Sequence, residues 1–195
     1  AAFLGDIGTT SPVYPEQNCT PVQKECLEAK HSDKPELRDE LWEALSFWVS
    51  ALDAPLPRDR DQPAVLRGEK LFATVKCAQC HVPELKTGKS ALVPQLSDKK
   101  IRPYTDMLVH DMGPALADGR PDFKARGSDW RTPPLWGIGM SKKVNGSTNF
   151  LHDGRARTVE EAILWHGGEA KASRDAFAQM TRQERDAMLA FVNSL

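Results

Sequence analysis

Cys77-Ala78-Gln79-Cys80-His81 constrains this 195-residue chain more than any other stretch. Two thiols three positions apart, followed at once by an imidazole, form the attachment pattern of a c-type haem. Each thiol forms a thioether to one vinyl group, and the histidine lies under the iron as its proximal ligand. Zinc would require a second ligand pair at finger spacing, and none follows. A thioredoxin-like redox pair would sit in strand–helix alternation, which is missing around these residues.

The lead-in agrees with a haem. Residues 63–72 read as a helix, with Pro63 in the first turn and Leu66, Leu71 and Phe72 as buried positions. Gly68 would let another helix approach closely, and Phe72 would pack near the porphyrin. Downstream, residues 82–157 are rich in proline and glycine. So long an irregular stretch normally argues against a compact domain, but a haem can serve as the core against which loops pack. Thr158-x-x-Glu161 and Thr181-x-x-Glu184 are capping boxes that open two closing helices. The second carries Met188, Leu189, Phe191, Val192 and Leu195 at helical spacing. The fold expected is all-α, a class I cytochrome c-like domain with long irregular loops.

Net charge −1 and pI 6.6 give no reason to expect nucleic acid or an anionic membrane as partner. The longest apolar-leaning stretch, 41–52, contains Glu43 and two serines, so no transmembrane segment is expected. Haem c attachment takes place outside the cytoplasm. The expected location is therefore periplasmic or otherwise extracytoplasmic, where Cys19 and Cys26 suit a small structural disulfide loop. Residues 1–35 read as irregular, 36–52 as a helix, and 54–61 as a linker. Two domains are expected: an N-terminal extension over 1–54 and the haem domain over 55–195. No internal repeat appears.

The iron's sixth ligand decides whether a haem reacts or only passes electrons. Candidates are His110, His152, His166, Met107, Met112 and Met140. Met140 suits a small carrier cytochrome. His166 ends the first capped helix among apolar residues, with Gly167 and Gly168 behind it to let backbone approach the haem. The residues alone leave the choice open.

Four further stretches carry a resemblance. They are Tyr104-Thr105-Asp106-Met107-Leu108-Val109-His110-Asp111-Met112-Gly113, Trp130-Arg131-Thr132-Pro133-Pro134-Leu135-Trp136-Gly137, Leu151-His152-Asp153-Gly154-Arg155-Ala156-Arg157 and Trp165-His166-Gly167-Gly168-Glu169-Ala170. They resemble bacterial di-haem oxidoreductases of the thiol-oxidoreductase-like family. That family is related to di-haem cytochrome c peroxidases and to the enzyme maturing the tryptophan-derived cofactor of methylamine dehydrogenase. The resemblance covers 70–195, and 1–11 more loosely.

It implies a C-terminal haem half of a longer protein, one covalent haem c, and as partner an N-terminal haem domain or another redox protein. In the peroxidase relatives the distal ligand follows the His-x-Gly histidine by fourteen residues. Counted from His152, that position is His166. His81 and His166 are thus the implied axial pair, with Met140 the alternative, and His152 would orient a loop or propionate near the iron. Arg131 and Arg155 are candidates to neutralise propionates, since a buried carboxylate needs a cation or donors. The relatives bind calcium near the His-x-Gly motif, but residues 145–149 differ here, and calcium stays open.

A bis-histidine haem is low-spin and relays electrons to a catalytic haem elsewhere. The competing reading is a self-contained mono-haem carrier with a Met ligand. Thiol chemistry is not expected, because Cys77 and Cys80 are consumed as thioethers.

Overall fold

The computed structural model describes residues 2–195; Ala1, where the expected extension begins, lies outside them. The chain divides into two compact units. One runs up to Asp53 and takes in Lys89–Ser97; the other comprises Ala54–Gly88 and Asp98–Leu195. The 89–97 segment, which the sequence places in the haem domain, therefore groups with the N-terminal unit.

The first unit holds helices α1 (Ala2–Ile7), α2 (Lys24–Glu28) and α3 (Asp39–Ala51). Long-range bonds tie its irregular chain: the Glu36 carboxylate accepts from the Thr10 N–H at 3.0 Å, and Leu37 N–H donates to the Thr10 carbonyl at 3.1 Å. Leu4, Thr10, Ser11 and Leu37 are buried around this tie. Cys19 and Cys26 are disulfide-bonded, with Cα atoms 5.9 Å apart. Helix α3 has Asp39 and Glu40 in its first turn, where the helix dipole favours them. None of its residues is buried, and Leu41, Phe47, Trp48 and Val49 are exposed.

The second unit is built on α4 (Pro63–Thr74) and α8 (Arg182–Ser194). Between them in the chain come α5 (Ser141–Asn145), α6 (Val159–Trp165) and α7 (Lys171–Ala178). Helix α4 begins with Pro at its first position and buries Val65, Gly68 and Phe72; Leu66, expected inside, is exposed. Phe72 meets Phe191 and Tyr104 edge-on at ring-centroid distances of 5.4 and 6.2 Å. Val75, Leu135, Val159, Phe177, Met188, Val192 and Leu195 complete the core.

Capping at α8 is reciprocal, with Thr181 and Glu184 satisfying each other's backbone N–H. At α6 only half the box forms: Thr158 accepts from Glu161 N–H, while the Glu161 carboxylate accepts from Arg157 N–H instead. The 54–61 stretch is a strap rather than a loose linker. Arg58 N–H donates to the Ser194 carbonyl at 2.7 Å, and its guanidinium to the Asn193 carbonyl, occupying acceptors at the end of α8.

The expectation of an all-α chain needs correction to a mostly helical one. Two antiparallel pairs lie in the loop-rich stretch: β1 (Leu85–Lys86) with β2 (Lys100–Ile101), and β3 (Val109–Asp111) with β4 (Asp129–Arg131). In the second pair His110 stands opposite Trp130. These ladders satisfy main-chain groups that helices do not reach.

A Cβ at position 68 would lie 2.1 Å from the Ala187 carbonyl oxygen and 2.6 Å from Phe191 Cβ, so Gly68 sets how closely α4 crosses α8. Gly68→Ala gains up to about 1 kcal/mol of helix propensity but overpacks the crossing by about 1–3 kcal/mol. The expected outcome is a lower thermal midpoint by circular dichroism. Gly88→Ala, with nothing within 4 Å of its Cβ, is the control and should leave the midpoint unchanged.

Candidate functional site

Helix α4 stops at Thr74, and Lys76 turns left-handed (φ 67°) to start a short 3-10 turn over Cys77–Gln79. His81 N–H closes back on the Cys77 carbonyl at 2.9 Å. Both cysteines and the histidine are thereby held in one compact turn against the core. Burial pushes the Cys77 thiol up to about 12. Burial, with the charges of Asp106 and Glu169, also raises Cys80. Redox exchange requires a thiolate, which this environment disfavours at both sulfurs.

His81 Nδ1 lies 3.0 Å from the Tyr104 carbonyl, to which it donates, so Nε2 is the nitrogen left to ligate. Tyr104 is buried and held at φ 54°, in the left-handed region that aims this carbonyl. Desolvation pushes His81 down to about 4 against the opposing pull of that carbonyl, leaving a neutral imidazole at pH 7. The Phe72 ring is 6.1 Å from it, centroid to centroid.

His166 ends α6. Its Nδ1 is 2.7 Å from the carbonyl of Ala162, one turn back, so it too presents Nε2. Burial lowers its proton affinity as well. The glycines behind it admit the main chain at the end of β3. A Cβ on Gly167 would meet the Met112 carbonyl at 2.7 Å, and one on Gly168 the Asp111 carbonyl at 2.0 Å.

The other predicted residues take up separate positions. His152 stacks flat on Trp130, with ring centroids 3.5 Å apart and planes 13° from parallel, and Trp130 Nε1 donates to the Leu116 carbonyl at 2.9 Å. Arg155 grips the Asp153 carboxylate at 2.6 Å, donates to the Ala115 carbonyl at 2.5 Å, and lies over the Trp165 ring at 4.9 Å. Arg131 is exposed, 3.8 Å from the Met107 sulfur. Met140 is half-buried at the end of a 3-10 turn that packs on α8.

One grouping escapes a reading of the sequence. His110 pairs through Nε2 with Asp106 at 2.8 Å and through Nδ1 with Glu169 at 3.0 Å, rather than with its neighbour Asp111. The hydrogen bond to Glu169, reinforced by that to Asp106, raises the proton affinity of His110 against desolvation. A folded-state pKa above the unfolded one means this stabilisation is full below the ordinary imidazole pKa. It is lost as pH rises through the raised value.

Two thiols and an imidazole in one turn are the donor set that attaches a c-type haem, and His166 is a second buried imidazole with Nδ1 anchored in the same way as His81. The chain belongs to the di-haem oxidoreductase family: the family described as "Di-haem oxidoreductase, putative peroxidase" matches residues 1–195. The match takes in residues 12–69, which the sequence motifs alone do not reach. Comparison with curated proteins gives no match. A structure of Kuenenia stuttgartiensis hydrazine synthase pressurised with xenon is similar in fold, with a TM-score of 0.54 and 18% identity over 83% of this chain. The similarity covers 57% of that hydrazine synthase chain, less than two thirds of its length.

The loop that aims the Tyr104 carbonyl hangs on Thr105. Its fully buried hydroxyl donates to the Thr132 carbonyl at 2.6 Å and accepts from Met107 N–H at 2.9 Å. Thr105→Val keeps the shape and strands both partners, at a cost of about 1–3 kcal/mol. Urea unfolding should show a lower midpoint for Thr105→Val, with Thr105→Ser recovering most of it.

Proposed function

We propose that this chain is a c-type haem electron-transfer module of a di-haem, peroxidase-like oxidoreductase. In this reading Cys77 and Cys80 hold one haem covalently and His81 and His166 are its axial ligands. The observation that carries it is the matched pair of imidazoles. Both are neutralised by burial, and both are anchored at Nδ1 by a main-chain carbonyl.

A bound haem supplies one-electron exchange at its iron. The residues of the chain supply the rest. The Tyr104 and Ala162 carbonyls fix the tautomer and plane of the two rings. With His81 and His166 both holding the iron, no ligand site would be left for peroxide, and the module would serve to pass electrons to a catalytic haem bound outside residues 1–195. Phe72 backs the proximal ring. Of the two arginines, Arg131 is the one to face a propionate, because the Arg155 guanidinium is committed to Asp153, Ala115 and Trp165. The compartment proposed is extracytoplasmic, consistent with the Cys19–Cys26 disulfide.

Haem-loaded protein is expected to show a low-spin, bis-imidazole electron paramagnetic resonance signal without a sulfur-to-iron charge-transfer band. His166→Ala should convert it to high spin, and Met140→Leu should leave it unchanged. Loss of the low-spin signal in Met140→Leu, but not in His166→Ala, would establish the Met-ligated carrier instead.

A further inference from the structure

The trio Asp106–His110–Glu169 is used neither by the axial pair nor by the core, and its position is informative. His110 Nδ1 is 3.9 Å from Cys80 Sγ, the sulfur that the attachment motif commits to the haem edge. The Cys80 thiol, the Asp106 carboxylate and the His110 imidazole converge within 4.8 Å of one another. The two carboxylates gripping His110 come from the segments that bear on the axial pair. Asp106 is two residues beyond Tyr104, whose carbonyl holds His81, and Glu169 is three beyond His166.

An imidazole with a carboxylate on each nitrogen can donate to both only as imidazolium. In the neutral form, one carboxylate faces a lone pair. The carboxylates are otherwise held in place: Asp106 accepts from Leu108 N–H at 2.9 Å, and Glu169 from Asp111 N–H at 2.9 Å. Further out, Asp111 is neutralised by Arg126 at 3.1 Å, and Arg126 also pairs with Asp129. Among the described residues, the side chains bonded to His110 are Glu169, Asp106 and the Cys80 sulfur, and the His110 charge also acts on His81. Glu169 has a side chain 57% exposed, whereas His110 is 18% and Asp106 13% exposed. This arrangement gives a proton an entrance from solvent and a sheltered end beside the haem edge.

Building on the haem reading above, we propose that His110 is a redox-linked proton site. When an electron arrives at the haem, His110 takes up a proton from solvent through Glu169, and it releases the proton when the electron leaves. Charge balances: one electron supplied by the external one-electron donor is matched by at most one proton, and no bond other than N–H is made or broken. Asp106 and Glu169 hold the imidazolium in place, so the charge change is local. The geometry places the transition above the ordinary imidazole range, in the direction in which Glu169 and Asp106 shift the group.

The test is a spectroelectrochemical titration of the haem-loaded chain across pH, with the low-spin spectrum recorded in parallel. Wild type should show a reduction equilibrium that weakens as pH rises, by up to tenfold per pH unit, or 59 mV for one electron. His110→Gln should flatten that dependence. Glu169→Gln retains the imidazole and a surface position, and it should move the sloping region to lower pH, which keeps the test sound if His110→Gln does not fold. A low-spin haem whose pH dependence is unchanged in both variants would assign the proton elsewhere and overturn the inference, leaving the axial assignment intact. Absence of the bis-imidazole spectrum in wild type would overturn both.

Discussion

The close crossing of α4 over α8 is the contact on which the second unit depends. A helix pair that meets at a glycine brings two backbones together, and here Gly68 rests against the Ala187 carbonyl with Phe191 alongside. That approach brings Phe72 edge-on to Phe191 and Tyr104 and sets where α4 ends. The attachment turn starts three residues after that end, so the crossing also determines where Cys77, Cys80 and His81 stand. The Arg58 strap closes the same layer from the other side by occupying carbonyls at the end of α8. Core packing and site geometry are one problem in this unit.

Main-chain carbonyls, more than side chains, orient the candidate ligands. His81 takes its orientation from a Tyr104 carbonyl in a left-handed turn, and His166 from the helix turn it terminates. Such acceptors suit a ligand pair that has to stay put, because they carry no rotamer freedom and no titratable charge. The polar side chains gather elsewhere. Arg155 with Asp153, and His110 with Asp106 and Glu169, form networks on the loops. Family membership over residues 1–195 makes a haem the natural occupant.

Local signals in the sequence are legible and non-local ones are not. Pro63, Gly68, Phe72 and the Thr181–Glu184 box each act within a turn or through one helix crossing, and each sits where its spacing places it. The gathering of Cys77, Cys80 and His81 in one turn is equally readable, because those residues lie within five positions of one another. Leu66 misleads because periodicity alone does not say how wide the buried face of α4 is. The two strand pairs are short and embedded in proline-rich loops, where alternation has too few residues to register. The His110–Glu169 bond joins residues 59 apart in the chain. The Trp130–His152 stack likewise links separate loops. Nothing in either neighbourhood announces its partner. Gly167 and Gly168 were legible as sites of close approach, but what approaches them was not.

That approach has a consequence for how the protein tolerates a change of charge. Between 111–113 and 167–168 the chain meets itself backbone to backbone, with no side chain interposed. A seam of this kind has no alternative rotamers to populate when the local field changes. The imidazole just before it is therefore carried on a mount that is stiff by construction. Groups on such mounts move little when a neighbouring charge changes, because packed backbone deforms less readily than a side chain changes rotamer.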